Sequence, residues 1–348
     1  MNAICRHFGV CGGCAHQDIP DADYRTGKRK AVLDALSRHG VETVVESVVE
    51  VPPATRRRAV LKAKRGVGLG FHAARTHSIV DLEQCLVLRP AIVALLPGLR
   101  AMLEELLPPG GDAELRLTET ATGIDLGLRW RVPNDPAAVA ALARWAETLK
   151  LARVSAHGDT VVSLAAPMIR LGKAEVALPA EVFLQPTREG EAVLQDFVRQ
   201  ALAGAKSVVD LFCGCGTFSF PLAEIARVHA VEIEAAMLAA LIAAARNTPG
   251  LKPITTERRN LFKRPLSEKE LDGFDAVCLD PPRAGAFEQA RTLARSGIGR
   301  VAYVSCDAES FSRDARVMID GGYALDRVVP VDQFLWSSHI ELVGQFRK

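Results

Sequence analysis

The second half of the chain predicts an α/β domain built on a doubly wound, Rossmann-like parallel sheet, and the first half predicts a mixed α+β domain. Two observations carry this. Short apolar runs, VVDLF (208–212), VHAVEI (228–233), AVCLD (276–280) and RVAYVSC (300–306), alternate with helical segments at 189–203, 218–225, 234–247 and 285–296. Strands alternating with helices at this spacing form parallel sheets, because a crossover needs a helix's length to return to the starting edge. The first half instead alternates polar and apolar residues over short stretches. A length of 348 residues fits two domains better than one core.

The elements follow in order. A helix is predicted over 21–40, ended by Gly40. Residues 41–83, with Pro52, Pro53 and several glycines, read as short strands and loops. A helical run over about 90–107 stops at Pro108-Pro109-Gly110-Gly111. Residues 113–131 alternate like paired strands, a helix follows over 135–149, and 152–178 alternates again. The Ala-rich AAMLAALIAAARN reads as a packed helix.

Half of the residues are apolar and a quarter charged, as in soluble globular proteins. No run approaches the roughly 18 apolar residues of a membrane span. No basic segment leads into an apolar run, so a cytoplasmic location with reduced thiols is expected. A net charge of +2 does not demand a nucleic-acid partner. Two basic blocks stand out: Arg25, Lys28, Arg29 and Lys30, then Arg56, Arg57, Arg58, Lys62, Lys64 and Arg65. Such runs are more often solvated faces than binding sites; an independent argument for RNA turns them into phosphate-contact candidates.

VVDLFCGCGTFSF is a strand, a glycine turn and a helix. In a doubly wound sheet this turn faces the ligand crevice. The G-x-G spacing and the absence of a P-loop lysine speak against a pyrophosphate cradle. Gly214 and Gly216 instead allow close backbone approach. Glu232, ending the next strand, is placed to hold a ribose diol. A nucleoside ligand without pyrophosphate fits, and S-adenosylmethionine is the candidate. Asp280 in LDPPRAG and Cys306 in YVSCDAESF end two further strands at the same edge. A free cysteine is more often a small buried apolar residue than a nucleophile, so Cys306 alone decides nothing.

Taken together, DLFCGCGTFSFPLA, LDPPRAGA, VSCDAESFSRDA and DQFLWSSHIEL, in this order, resemble the S-adenosylmethionine-dependent RNA uracil-5-methyltransferases. FLQPTREG (183–190) is similar to that family's entry into its class I methyltransferase domain. Cys5, Cys11 and Cys14, spaced C-x5-C-x2-C, with Cys85 about 70 residues on, resemble the family's iron–sulfur arrangement. The resemblance is to the iron–sulfur type without an N-terminal TRAM barrel.

The resemblance implies that Cys306 adds to C6 of a uracil and that Glu341, in HIEL, removes the C5 proton. It places Gln185, Phe212, Glu232, Asn260 and Asp280 along the cofactor, with Gly214 and Gly216 as the turn beneath it. Asp280 could also reach the polar edge of the uracil, and Arg283 could act electrostatically. It implies a [4Fe-4S] cluster on Cys5, Cys11, Cys14 and Cys85, with zinc as the alternative, since four thiolates suit both. Cys213 and Cys215 belong to the glycine turn and Cys278 to the core. His339, close to Glu341 in HIEL, is expected to face away from the site.

The implied domains are 1–20 with 41–180 as the iron–sulfur and RNA-binding unit, 21–40 as a helix packing on the catalytic domain, and 181–348 as the methyltransferase domain. The expected partner is RNA, ribosomal 23S ahead of transfer RNA, methylated by a monomer on a flipped or unpaired base. Thr187, Thr217, Asp307 and Leu335 depart from the family pattern. Asp307 is expected to raise the Cys306 thiol pKa. The competing readings are a transfer-RNA enzyme, a cytosine methyltransferase, against which LDPPRAG speaks, and a non-catalytic cluster-bearing RNA-binding protein.

Overall fold

The computed structural model describes residues 4–130 and 136–348; positions 131 and 135, where an expected strand ends and an expected helix begins, lie outside them. In chain order, the cysteine loop leads into α1 (Asp21–Arg38), β1 (Val44–Val45) and β2 (Val49–Glu50). The first unit follows: β3 (Arg58–Lys64), β4 (Gly68–His72), β5 (Ile79–Asp81), α2 (Pro90–Leu106), β6 (Asp112–Thr120), β7 (Gly123–Arg129), α3 (Pro136–Thr148), β8 (Leu151–Ala156) and β9 (Asp159–Ser163). A hairpin, β10 (Met168–Leu171) and β11 (Ala174–Ala177), leads to the second unit. That unit runs α4 (Arg188–Ala201), β12 (Ser207–Leu211), α5 (Ser219–Ala223), β13 (Arg227–Glu232), α6 (Ala235–Arg246), β14 (Ile254–Arg258), α7 (Glu268–Leu271), β15 (Ala276–Leu279), α8 (Phe287–Arg295), β16 (Arg300–Ser305), α9 (Ala308–Asp320), β17 (Ala324–Asp332) and β18 (Glu341–Arg347).

The first unit is a seven-stranded sheet in the order β5-β4-β3-β6-β7-β8-β9. It is antiparallel except where α3 provides the crossover between parallel β7 and β8. Leu61, Leu115, Leu117 and Leu126 alternate on its inner face and meet Ile92, Leu96, Leu99 and Met102 of α2. The mixed α+β expectation matches this architecture.

The second unit's sheet runs β14-β13-β12-β15-β16-β18-β17-β1, with β2 also on β17. The chain starts at central β12, moves out through β13 and β14, then returns to the other side through β15 and β16. This reversal opens a crevice at the carboxyl ends of β12 and β15. The runs over 208–212, 228–233, 276–280 and 300–306 correspond to β12, β13, β15 and β16. The sequence pattern misses β14, whose ITTER is a half-buried edge without an apolar run. It also misses the antiparallel β17–β18 pair, which has no intervening helix.

The structure corrects the boundaries of the first unit. Val44 and Val45 pair in parallel with Arg327 and Val328, and Val49 pairs with Val331. Residues 44–50 therefore extend the large sheet rather than the first unit, satisfying backbone groups along the β17 edge. Ile169, Leu171, Ala174 and Val176 of the hairpin likewise enter the core with Leu194, Phe220 and Leu241 of the second unit. α1 packs on α9 and β17, as expected for 21–40, burying Tyr24, Val32, Ala35 and Leu36 on one face. No helix among the described residues is long and apolar enough to cross a membrane.

Candidate active site

The turn after β12 is conformationally unusual. Phe212, Gly214 and Gly216 all have positive φ (62°, 56° and 98°). Phe212 is the costly member, because an L side chain in this region crowds its own backbone. Its ring packs on Phe262, centroids 5.4 Å apart. At Gly216 a Cβ would lie 2.7 Å from the Phe220 ring, so only glycine fits. Cys213 and Cys215 are buried in the core, as is Cys278.

Glu232 is fixed by backbone amides. Its Oε2 accepts from Gly214 N–H (3.0 Å), and its Oε1 from Ile233 (2.6 Å) and Glu234 (3.1 Å). Asn260 Oδ1 accepts from the N–H groups of Phe262 and Lys263 (3.0 and 3.2 Å). A cavity of about 440 Å³ brings together Gln185, Phe212, Gly214, Glu232, Asn260 and Asp280. Gly216 lies outside its lining. The same cavity reaches Cys306 and Glu341.

Those two residues are juxtaposed by strand register. Ser305 of β16 pairs with Leu342 of antiparallel β18, so the next step places Cys306 opposite Glu341. Asp280 ends β15 beside them, and Pro281 and Pro282 stop the strand there. The electrostatics are acidic. Burial, then the charge of Asp210, pushes the Asp280 carboxyl up to about 8, against a hydrogen bond from Gln185. Burial and Asp280 hold Glu341 well above the usual carboxylate range. Burial, Glu341 and Asp280 push the Cys306 thiol up to about 12, while Arg283 opposes them. The resting state is therefore a protonated thiol beside two buried carboxyl groups whose titrations are linked.

Asp307 does not act as expected. It caps α9: Oδ1 accepts from Ser310 N–H (2.9 Å), and Oδ2 pairs with Arg283 at 3.3 Å. The helix N-terminus and a guanidinium take up its charge. The thiol responds to Glu341 and Asp280 instead.

A second cavity, about 220 Å³, meets the first at Cys306, Glu341 and Phe183. Arg56, Arg58, Arg116 and Phe334 line it, together with the inner strands of the first unit. Arg58 lies 5.2 Å over the Phe183 ring and Arg56 lies 5.7 Å over Phe334. The rest of the basic block is largely neutralised. Arg57 is buried against Glu191 at 2.6 Å, Lys62 pairs with Glu114, and Arg65 with Glu104. The earlier block is also internally engaged: Arg25 pairs with Glu50, Lys30 with Asp34, and Lys28 is buried against Asp332.

Cys5, Cys11, Cys14 and Cys85 line one further cavity of about 340 Å³. Burial, then the charges of Cys85, Cys11 and Cys5, pushes the Cys14 thiol up to about 11. Among the described residues no three His, Cys, Asp or Glu side chains are arranged to hold a metal ion. Phe334, Leu335 and His339, from the loop that leads to Glu341, close this cavity. His339 thus lines the cysteine cavity and neither of the two cavities that share Cys306. The loop is tied to the N-terminal segment by Ala15 N–H to Trp336 O, 2.7 Å.

Sequence reasoning missed the groups that hold these parts together. Gln333 (1% exposed) touches both Thr187 and Gln185. Tyr24 and Lys28 both reach Asp332. A lone polar residue in a sequence gives no sign that it will be buried, so only DQF before the family-like HIEL hinted at Asp332 and Gln333.

A family profile described as tRNA (Uracil-5-)-methyltransferase matches residues 173–346. An uncharacterized RNA methyltransferase of Caulobacter vibrioides is 43% identical, over 99% of this chain and 85% of that protein. The 23S rRNA (uracil(1939)-C(5))-methyltransferase RlmD of Salmonella paratyphi A is 33% identical, over 99% of this chain and 81% of that protein. The crystal structure of Pyrococcus abyssi tRNA (uracil-54, C5)-methyltransferase in complex with S-adenosyl-L-homocysteine superposes with a TM-score of 0.78. It covers 97% of this chain and 84% of that one at 22% identity, and shows the same fold.

Proposed function

The chain belongs to the tRNA (uracil-5-)-methyltransferase family, and from that premise we propose that it methylates C5 of a uridine in RNA at the junction of the two cavities. The observation that carries the proposal is the shared pair Cys306 and Glu341, which line both the Glu232 cavity and the arginine-lined cavity. A methyl donor in one and a nucleobase in the other would meet at these two side chains.

The Glu232 cavity suits S-adenosylmethionine. Glu232 lines it with its carboxylate held by three backbone amides, the glycine turn permits close approach, and Phe212 offers an aromatic surface. The bound cofactor supplies an electrophilic methyl group. The chain's own residues do the rest. C5 of uracil is a weak nucleophile, so Cys306 adds as thiolate to C6 and makes C5 carbanion-like. The methyl transfers to C5. Glu341 then takes the C5 proton, and the C6–sulfur bond breaks to return Cys306. A thiol raised to about 12 is a poor resting nucleophile. Its activation requires the Asp280–Glu341 pair to take a proton, or cationic ligands to enter.

We favour 23S ribosomal RNA over transfer RNA. The support is the match to a 23S rRNA enzyme along nearly the whole chain, including the cysteine-bearing unit. The target base would leave its stack to reach Cys306, and Phe183 and Phe334, each beside an arginine, offer stacking surfaces along that route.

The four N-terminal cysteines fit an iron–sulfur cluster in that all four thiols converge on one cavity. Zinc is the alternative, since four thiolates suit both. Cys5, Cys11, Cys14 and Cys85 would hold the cluster, whose role here is to tie the N-terminus to residue 85 and brace the loop before Glu341.

The test is transfer of labelled methyl groups into 23S and transfer RNA lacking m5U, with Cys306→Ala as control. Label in C5 of a ribosomal uridine is expected. Full activity in Cys306→Ala would overturn the mechanism, and label confined to transfer RNA would overturn the substrate.

A further inference from the structure

The side chains of Thr187, Gln333 and Gln185 form a buried hydrogen-bonded chain ending on Asp280. The backbone N–H of Gly190, in the first turn of α4, can only donate, and it donates to Thr187 Oγ1 at 3.0 Å. The threonine hydroxyl, having accepted, sends its own proton to Gln333 Oε1 at 3.2 Å. Gln333 must then present its other end: Nε2 donates to Gln185 Oε1 at 3.0 Å. Gln185 in turn directs Nε2 to Asp280 Oδ2 at 3.2 Å. An amide alone could point either way; this direction is the one that gives the Asp280 carboxylate, which when ionised can only accept, a donor.

The packing around the chain is specific to it. Thr187, Gln333 and Gln185 are 1%, 1% and 2% exposed, so water does not compete for these bonds. A Cβ on Gly190 would lie 2.3 Å from Gln333 Cγ, so glycine at this position makes room for the Gln333 side chain. Thr187, a departure from the family pattern, has the one hydroxyl that both accepts from Gly190 and donates onward. The backbone of Gln185 is held separately, by Arg57 Nε donating to its carbonyl at 3.0 Å beside the buried Arg57–Glu191 pair.

We propose that Gln333 is a positioning residue for the reaction, which fixes the Gln185 amide so that Asp280 always meets a donor. This rests on the proposed uridine methylation and extends it to a residue that touches neither substrate nor cofactor. Asp280 is acted on by Asp210 from β12 and by the Gln185 amide, its titration is linked to that of Glu341 from β18, and its own charge reaches Glu341, Cys306 after β16 and Cys278 on its own strand; Arg283, in the same loop, acts on Cys306. The nearby carboxylates favour a proton on the pair; the Gln185 donor favours the ionised form. Freeing that amide therefore makes the Asp280–Glu341 pair give up its proton at higher pH.

The experiment is a pH–rate profile of methyl transfer for Gln333→Leu, Thr187→Val and Thr187→Ser in the full-length protein, with SAH affinity and thermal midpoint measured alongside. Gln333→Leu and Thr187→Val are expected to move the acid limb up by about one pH unit, and Thr187→Ser to restore it. In a Gln185→Leu background, Gln333→Leu should add no further shift. A lower rate or midpoint with an unmoved acid limb would overturn the proposal, as would a shift that persists without Gln185. Should the wild-type protein transfer no methyl to uridine, the functional reading fails instead. The infrared carboxylic-acid band of the ligand-free protein, titrated against pH, then decides the relay by the same comparison of variants.

Discussion

The Tyr24 hydroxyl donates a 2.6 Å hydrogen bond to Asp332 Oδ2, joining residues 308 positions apart. The other carboxylate oxygen takes Lys28 Nζ at 2.8 Å, and the Tyr24 oxygen accepts the Trp336 N–H at 2.7 Å. Lys28 also donates to the carbonyls of Phe334 and His339. One helical turn of α1 thus grips the loop between β17 and β18, and with it the approach to Glu341.

That grip predicts unequal costs. Lys28→Met leaves Asp332 buried without its counter-charge and should cost about 3–5 kcal/mol. Tyr24→Phe removes one hydrogen bond to a charged group and should cost about 1.5–3 kcal/mol. Urea unfolding of both variants gives the comparison; equal small losses would show that Asp332 is held by other groups.

The Cys306–Glu341 pair predicts different arrests. Cys306→Ala should give neither methyl transfer nor a covalent complex. Glu341→Gln should form the adduct and keep it, because nothing takes the C5 proton. A protein–RNA band resistant to SDS is expected in Glu341→Gln alone, and rapid turnover in that variant would remove Glu341 from the base role.

The buried acids predict a pH-dependent stability. Asp280 has a folded-state pKa of about 8, above its unfolded value. Its contribution is fully present below the unfolded pKa and is lost as pH rises through about 8. Asp280→Asn should therefore be more stable than wild type at pH 9, with the gap closing toward pH 4. Thermal or urea midpoints across that range check the sign; a gap constant with pH would refute it.

The cysteine cavity predicts a separable role. On the proposed cluster, the purified protein is expected to carry iron and absorb near 400 nm, and Cys14→Ser to lose both and lower the stability of the first unit. Absorbance near 400 nm and iron content give the first reading, and proteolysis within residues 51–163 the second. Loss of methyl transfer alone, in an intact and coloured protein, would move these cysteines into the chemistry.

The alternation of VVDLF, VHAVEI, AVCLD and RVAYVSC with helical segments determined the parallel sheet, because a helical crossover dictates parallel return. The strand-end positions of Gly214, Glu232, Asp280 and Cys306 then followed from the rule that such sheets bind ligands at their carboxyl edge. The motifs DPPRAG, SCDAESF and HIEL determined the family resemblance. Tertiary structure alone decided the rest. Asp307 reads in sequence as a neighbour of the thiol, yet the helix it caps claims its carboxylate. The arginines at 56–58 read as one block, yet strand alternation buries Arg57 on Glu191 and leaves Arg56 and Arg58 beside the cavity. Residues 44–50 read as part of the first unit, yet the β17 edge recruits them. The contacts of Gln333, Asp332 and Lys28 left no mark in the sequence, since hydrogen bonds between residues some 150 to 300 positions apart depend on where the chain returns in space, and local pattern holds no record of that.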